Sequence, residues 1–176
     1  AVGNRVIIKG GTIQASASII TGGYASFSGA PVYDNSVTIS GGTISNASIS
    51  GGYGQSSTTV TTNTVTLTNG TINNGSIQGG NLASTGSGSV VRNQVFISGG
   101  TINAEVYGGR VSGANAGVSQ ENHVFIGGGE VKKNVYGGSA STGSVSQNIV
   151  TLLNNGKVTG DVVGGMVNAN TVSANQ

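Results

Sequence analysis

Short runs in which β-branched residues alternate with polar ones return along the whole chain at a fixed offset. Each run opens on an asparagine: Asn4, Asn35, Asn63, Asn93, Asn122 and Asn148. Two residues later stands Val6, Val37, Val65, Val95, Val124 or Val150, and four later Ile8, Ile39, Leu67, Ile97, Ile126 or Leu152. A first glycine-containing corner follows, seen as Gly41-Gly42, Asn69-Gly70, Gly99-Gly100 and Asn155-Gly156. Beyond it lie Ile13, Ile44, Ile72, Ile102, Val131 and Val158, then Ile20, Ile49, Ile77, Val106, Val135 and Val162. A second corner is read at Gly22-Gly23, Gly51-Gly52, Gly79-Gly80, Gly108-Gly109, Gly137-Gly138 and Gly164-Gly165, at intervals of 29, 28, 29, 29 and 27 residues. A third strand is marked by Val32, Val60, Val90, Val118, Val145 and Val167. Strict alternation of this kind predicts half-buried strands.

One such unit is a thin shell that cannot close a core alone. Stacking closes it, because each inward Val or Ile then lies on its counterpart in the next unit. The expected fold is all-β: a parallel β-helix, or β-solenoid, of about six rungs of some 29 residues, each with three short strands. Rungs about 4.8 Å apart would make the stack roughly 30 Å long. The six asparagines would form a column in which side-chain amides bond up and down the stack. The competing architecture is an array of hairpins, because Asn-Gly between alternating apolar runs is a strong hairpin signal. Residues 1–176 are expected to be one domain, with rungs starting at the six asparagines and a partial rung from Asn170. Neither end resembles a cap, so the chain is expected to be a fragment of a longer solenoid or a unit that stacks end to end.

Composition changes this picture in few places. Glycine accounts for 33 of 176 residues, but most sit at the corners, which argues for order rather than low complexity. Only 7% of residues are charged and the net charge is +2, with Lys132-Lys133 the sole basic pair. Nucleic-acid binding needs a continuous basic footprint, and none is seen. The chain has no cysteine, which removes disulfides, thiolate metal sites and cysteine nucleophiles. No apolar run has the length of a membrane helix, so membrane insertion of this segment is not expected. No signal peptide is read, so a secreted protein would be represented here by a mature fragment.

The search for chemistry yields few candidates. Glu105, Asn134 and Asp161 share one outward position on successive rungs. Two rungs would set the acids about 9–10 Å apart, near the upper range of an inverting glycosidase pair. The plainer reading is two solvated surface acids. His123 faces outward without a second ligand or a serine–acid set around it. Neither a cofactor nor a metal site is expected. Phe96 over Phe125 and Tyr107 over Tyr136 are expected as outward aromatic pairs and are the candidate ligand contacts. Their plain alternative is to shield the sheet surface. A flat threonine row of the ice-binding kind exists only at Thr64, Thr66 and Thr68, and breaks on both sides. Loop length varies most after the second Gly-Gly pair, so binding is expected on that flank.

Units such as Asn35-Ser-Val-Thr-Ile-Ser-Gly-Gly-Thr-Ile and Asn134-Val-Tyr-Gly-Gly resemble repeats in the passenger domains of large bacterial autotransporter adhesins. The resemblance covers nearly the whole chain through spacing and composition. It implies a right-handed β-helix stalk at the bacterial cell surface, exported through its own outer-membrane barrel, although no barrel is part of this sequence. It also implies a non-catalytic adhesive module contacting host or bacterial surface proteins or glycans. Two other readings stay open: a self-assembling extracellular fibre subunit, and a polysaccharide-acting enzyme using Glu105 and Asp161.

Overall fold

The computed structural model describes residues 1–83, 87–113, 117–167, 172–173 (backbone) and 176. Every strand pairing is parallel and links one turn to the next, which excludes the hairpin array. The six ladder asparagines bound about five turns of β-solenoid. A first column of strands comprises Arg5–Ile8, Ser36–Ile39 and Thr64–Leu67, and continues through the start of Gln94–Val111, His123–Val131 and Ile149–Leu152. Long second strands such as Thr43–Gly54 and Thr71–Leu82 stack beside them. A third column, from Val32–Tyr33 to Val172–Ser173, forms a separate six-stranded sheet.

The inward columns hold register from turn to turn. Val37 pairs with Val65, Val65 with Val95, and Val95 with Val124. Ile49, Ile77, Val106 and Val135 do the same on the second strand. These side chains are fully buried in one core. A second, smaller core gathers Val32, Val60, Leu82, Val90, Val111 and Val145. The cross-section therefore has two lobes.

The two Gly-Gly motifs do different jobs. At the first, the chain turns: Gly42 and Gly100 both take φ +90°, a left-handed conformation that costs an L-residue about 1–2 kcal/mol. The second motif is not a corner. Gly51-Gly52 and Gly79-Gly80 lie inside continuous strands, without positive φ. Here the two sides of the turn pinch together between the lobes. A Cβ on Gly51 would stand 2.7 Å from the Thr64 backbone nitrogen, and one on Gly52 would stand 2.5 Å from the Asn63 side chain. The sequence shows the need for glycine in both places, but only the structure separates a turn from a close approach.

Two further register assignments are corrected. Ser119, not Val118, occupies the inward place between Val90 and Val145, because it stands three residues before its ladder asparagine as they do. Ser119 is buried and bonded to the Gly109 carbonyl and to Asn122 Nδ2. Val167 pairs with Ala140 and so ends the second strand rather than forming the third. Asn170, expected to open a partial rung, lies outside the described residues. The Gln176 N–H donates to the Asn148 carbonyl, as Thr64 does to Asn35, so Gln176 stands one place past the ladder column.

Candidate functional site

The asparagine column lies at the waist, buried from Asn35 to Asn148. From Asn4 to Asn122 the backbone N–H and Nδ2 both donate to Oδ1 of the asparagine one turn on. For Asn63 to Asn93 and for Asn93 to Asn122 all four distances are 3.0 Å. Asn93 Nδ2 also reaches the carbonyls of Val60 and Val91, at 2.9 and 3.1 Å. These buried amides are saturated within the protein and point their chemistry inward, so the column is structural.

The outward aromatics divide. Tyr107 and Tyr136 stack face to face, with centroids 5.0 Å apart and planes 14° apart. They are only 3% and 7% exposed, so they are not free surface contacts. Alternation does turn them away from the core, but the outside of the waist is filled by neighbours. The Tyr107 hydroxyl donates to Glu105 at 2.6 Å, and the Arg110 guanidinium lies 4.7 Å over its ring. Asn134 Nδ2 donates to the Tyr136 hydroxyl at 3.0 Å. Burial, followed by the Glu105 hydrogen bond, raises the Tyr107 hydroxyl well above its usual range. In the same column Gln78 is buried, and its Oε1 has no hydrogen-bond partner.

Phe96 and Phe125 remain half-buried on the outer face of the first strand, tilted at 50° with centroids 6.1 Å apart. His123 sets its edge against Phe125 and shares a hydrogen bond with Thr151, and partial burial lowers its pKa. A third aromatic pair, Tyr24 and Tyr53, lies outside the candidate contacts that the sequence suggests. Tyr24 stacks on Tyr53 at 5.6 Å and 19°. Tyr24 is 48% exposed and nearby Phe27 in the chain is 78% exposed.

The acids are dispersed. Glu105 is engaged by Tyr107, and Asn134 stands between it and Asp161, whose N–H donates to Asn134 Oδ1. Glu121 pairs with Arg92 at 2.6 Å and Glu130 with Lys157 at 2.8 Å. The Lys157 ammonium holds the Glu130 carboxyl below its ordinary range. Among the described residues no three His, Cys, Asp or Glu side chains group as a metal site, and no helix is long and apolar enough to cross a membrane.

The outer face of the second strand carries two hollows that share Asn74 and Gly75 and together form a groove line over turns one to five. Its first part, about 320 Å³, is lined by residues including Ala17, Ile19, Asn46, Ser48, Asn74 and Gly75. Its second part, about 220 Å³, shares Asn74 and Gly75 and adds Asn103, Ala104, Glu105 and Lys133. In turns one to three Ala17, Asn46 and Asn74 take φ between 58° and 60°, a left-handed kink at one place in each strand. The groove is not on the flank of variable loops, where binding was expected. Its sequence signal is faint: Asn73-Asn74-Gly75 has the composition of a turn, whereas alanine at position 17 carries no mark of left-handed backbone.

Compared with known proteins, the chain matches no family model, no curated protein and no solved structure.

Proposed function

We propose that this protein is a non-catalytic attachment module, a rigid solenoid stalk that displays side chains at a bacterial cell surface. One observation supports the reading best: the inward columns are nearly constant while the outward columns change residue by residue. Val6, Val37, Val65, Val95, Val124 and Val150 share one inward place, whereas the next outward place holds Ile7, Thr38, Thr66, Phe96, Phe125 and Thr151. A scaffold with a fixed interior and a free exterior suits recognition, because the contact groups are held on rigid strands at no ordering cost.

On this reading Phe96, Phe125, Tyr24 and the polar groove face the partner, a surface protein or glycan, and Tyr107 and Tyr136 brace the wall behind them. The protein is extracellular, and the likeness of its repeats to autotransporter adhesin passengers agrees with that setting. The test is direct. Beads coated with the purified protein should retain bacterial or host cells saturably, and antibody should label unpermeabilised source cells. Retention no greater than on beads coated with an unrelated protein, with labelling only after permeabilisation, would overturn the proposal.

A further inference from the structure

We infer that the groove over turns one to five binds an uncharged glycan strand lying along the solenoid axis. The inference rests on the attachment reading and gives that module its ligand class.

Direction comes first. The strands run across the axis, and their backbone groups are used in turn-to-turn pairing, as in Ser45 with Asn73 and Ala47 with Gly75. A ligand lying along the groove therefore meets side chains and no free sheet edge. An extended peptide, which gains its affinity by adding a strand to such an edge, has nothing to pair with. Five turns give the groove a length of about 19 Å, at a spacing of some 4.8 Å per step.

The groove presents both donors and acceptors. Asn74 Nδ2 donates to Asn46 Oδ1 at 3.1 Å, which leaves Asn46 Nδ2 as a donor and Asn74 Oδ1 as an acceptor, neither bonded to another described residue. Gln78 Nε2 donates to Ser76 Oγ at 2.7 Å, and Ser76 Oγ donates to Ser48 Oγ at 3.2 Å. This relay occupies Ser48 as an acceptor, so its own hydrogen is offered to the groove. Tyr107 holds one oxygen of Glu105 at 2.6 Å and leaves the other to accept. The groove thus offers donors on its second turn and acceptors on its third and fourth, and buried neighbours fix Ser48 and Glu105 from behind. Only a ligand dense in hydroxyls, each both donor and acceptor, answers such a row. Ile19 and Ala17 supply apolar contact for the C–H faces of sugar rings. One lysine and one glutamate, Lys133 and Glu105, give the groove no preference for a polyanion.

The probes are neutral hexasaccharides of β-1,4-glucose, α-1,4-glucose, β-1,4-galactose and β-1,4-N-acetylglucosamine, compared by calorimetry with polygalacturonate and an extended Ser/Thr-rich peptide. At least one neutral hexasaccharide should bind the full chain. The double variant Asn46→Ala/Asn74→Ala should lose about tenfold or more in affinity, as expected for two hydrogen bonds. Alanine already occupies this column at Ala17, so the backbone tolerates the change. Ser48→Ala, which alters no backbone, gives the same reading if the double variant folds poorly, and Thr66→Ala on the other strand should bind as the parent does. Binding unchanged in the groove variants overturns the proposal, as does preference for polygalacturonate or peptide. If no neutral hexasaccharide binds while coated beads still retain cells, the glycan groove fails and the attachment module stands. If the beads fail too, both fall.

Discussion

A Cβ placed on Gly109 would stand 2.4 Å from Cγ of Asn122, closer than non-bonded carbons approach. The same relation joins Gly23 to Asn35, Gly52 to Asn63, Gly80 to Asn93 and Gly138 to Asn148. Glycine and asparagine, read in the sequence as two independent repeats, are therefore one motif. The absent side chain of one turn makes the space that the buried amide fills.

Gly109→Ala should therefore destabilise the protein by about 3 kcal/mol or more, because neither the strand nor the amide has room to yield. Gly10→Ala meets nothing within 4 Å and takes no left-handed φ, so it should change stability by less than about 0.5 kcal/mol. Urea unfolding of both variants checks the contrast.

Asn93→Ala strands the backbone N–H of Asn63, removes the donor that the Val60 and Val91 carbonyls share and vacates a buried site, with an expected loss of about 3 kcal/mol. Asn4→Ala, at the exposed end of the column, should lose less than about 1 kcal/mol, since water replaces what is removed. Equal losses in the two variants would show that the column is not a buried network.

The residue before each ladder asparagine is left-handed in every turn: Gly3, Asp34, Thr62, Arg92, Glu121 and Gln147. Only the first is glycine. Thr62 is β-branched with φ +54°, the most strained choice of the set. Thr62→Gly should stabilise the fold by about 1 kcal/mol. The exposed hydrogen bond from Thr62 to Asp34 is lost in the exchange and weighs less. A lower melting temperature would contradict this.

Alkaline pH should weaken the fold through Tyr107. Its hydroxyl is raised in the folded state, so between the ordinary tyrosine value near 10 and the raised one the folded chain keeps a proton that the unfolded chain releases. The stabilisation is complete below pH 10 and declines above it. Tyr107→Phe should flatten that decline in melts taken across the range.

Acid acts through His123, the single histidine. Burial lowers its pKa, so the unfolded chain takes up the proton first as pH falls. Its contribution is present above about pH 6.5 and is lost below it. His123→Gln should remove the dependence between pH 7 and pH 5, which thermal melts would show.

Much of this fold was legible because period-two alternation and the inter-turn offset are both written in side chains. Val37, Val65 and Val95 announce themselves. What failed to read was whatever depends on backbone shape. Gly51-Gly52 looks like a turn by composition and is a pinch by geometry. Val118 looks like the core residue of its strand, but parity from Asn122 gives that place to Ser119. Tyr107 faces outward as alternation requires, yet the concave outside of the waist buries it under Glu105 and Arg110. The groove line has left-handed backbone at Ala17, and alanine carries no signal for that conformation.

Among the described residues each turn bonds only to the turns before and after it, and this has a mechanical consequence. A stack whose cohesion is entirely nearest-neighbour yields under load from an end inward, one turn at a time. Pulled by its two ends, such a chain gives way in near-equal steps, each releasing about 29 residues or roughly 100 Å of slack. Shear against a surface would then lengthen the tether stepwise and cap the force that reaches the contact, while the turns still stacked keep their shape.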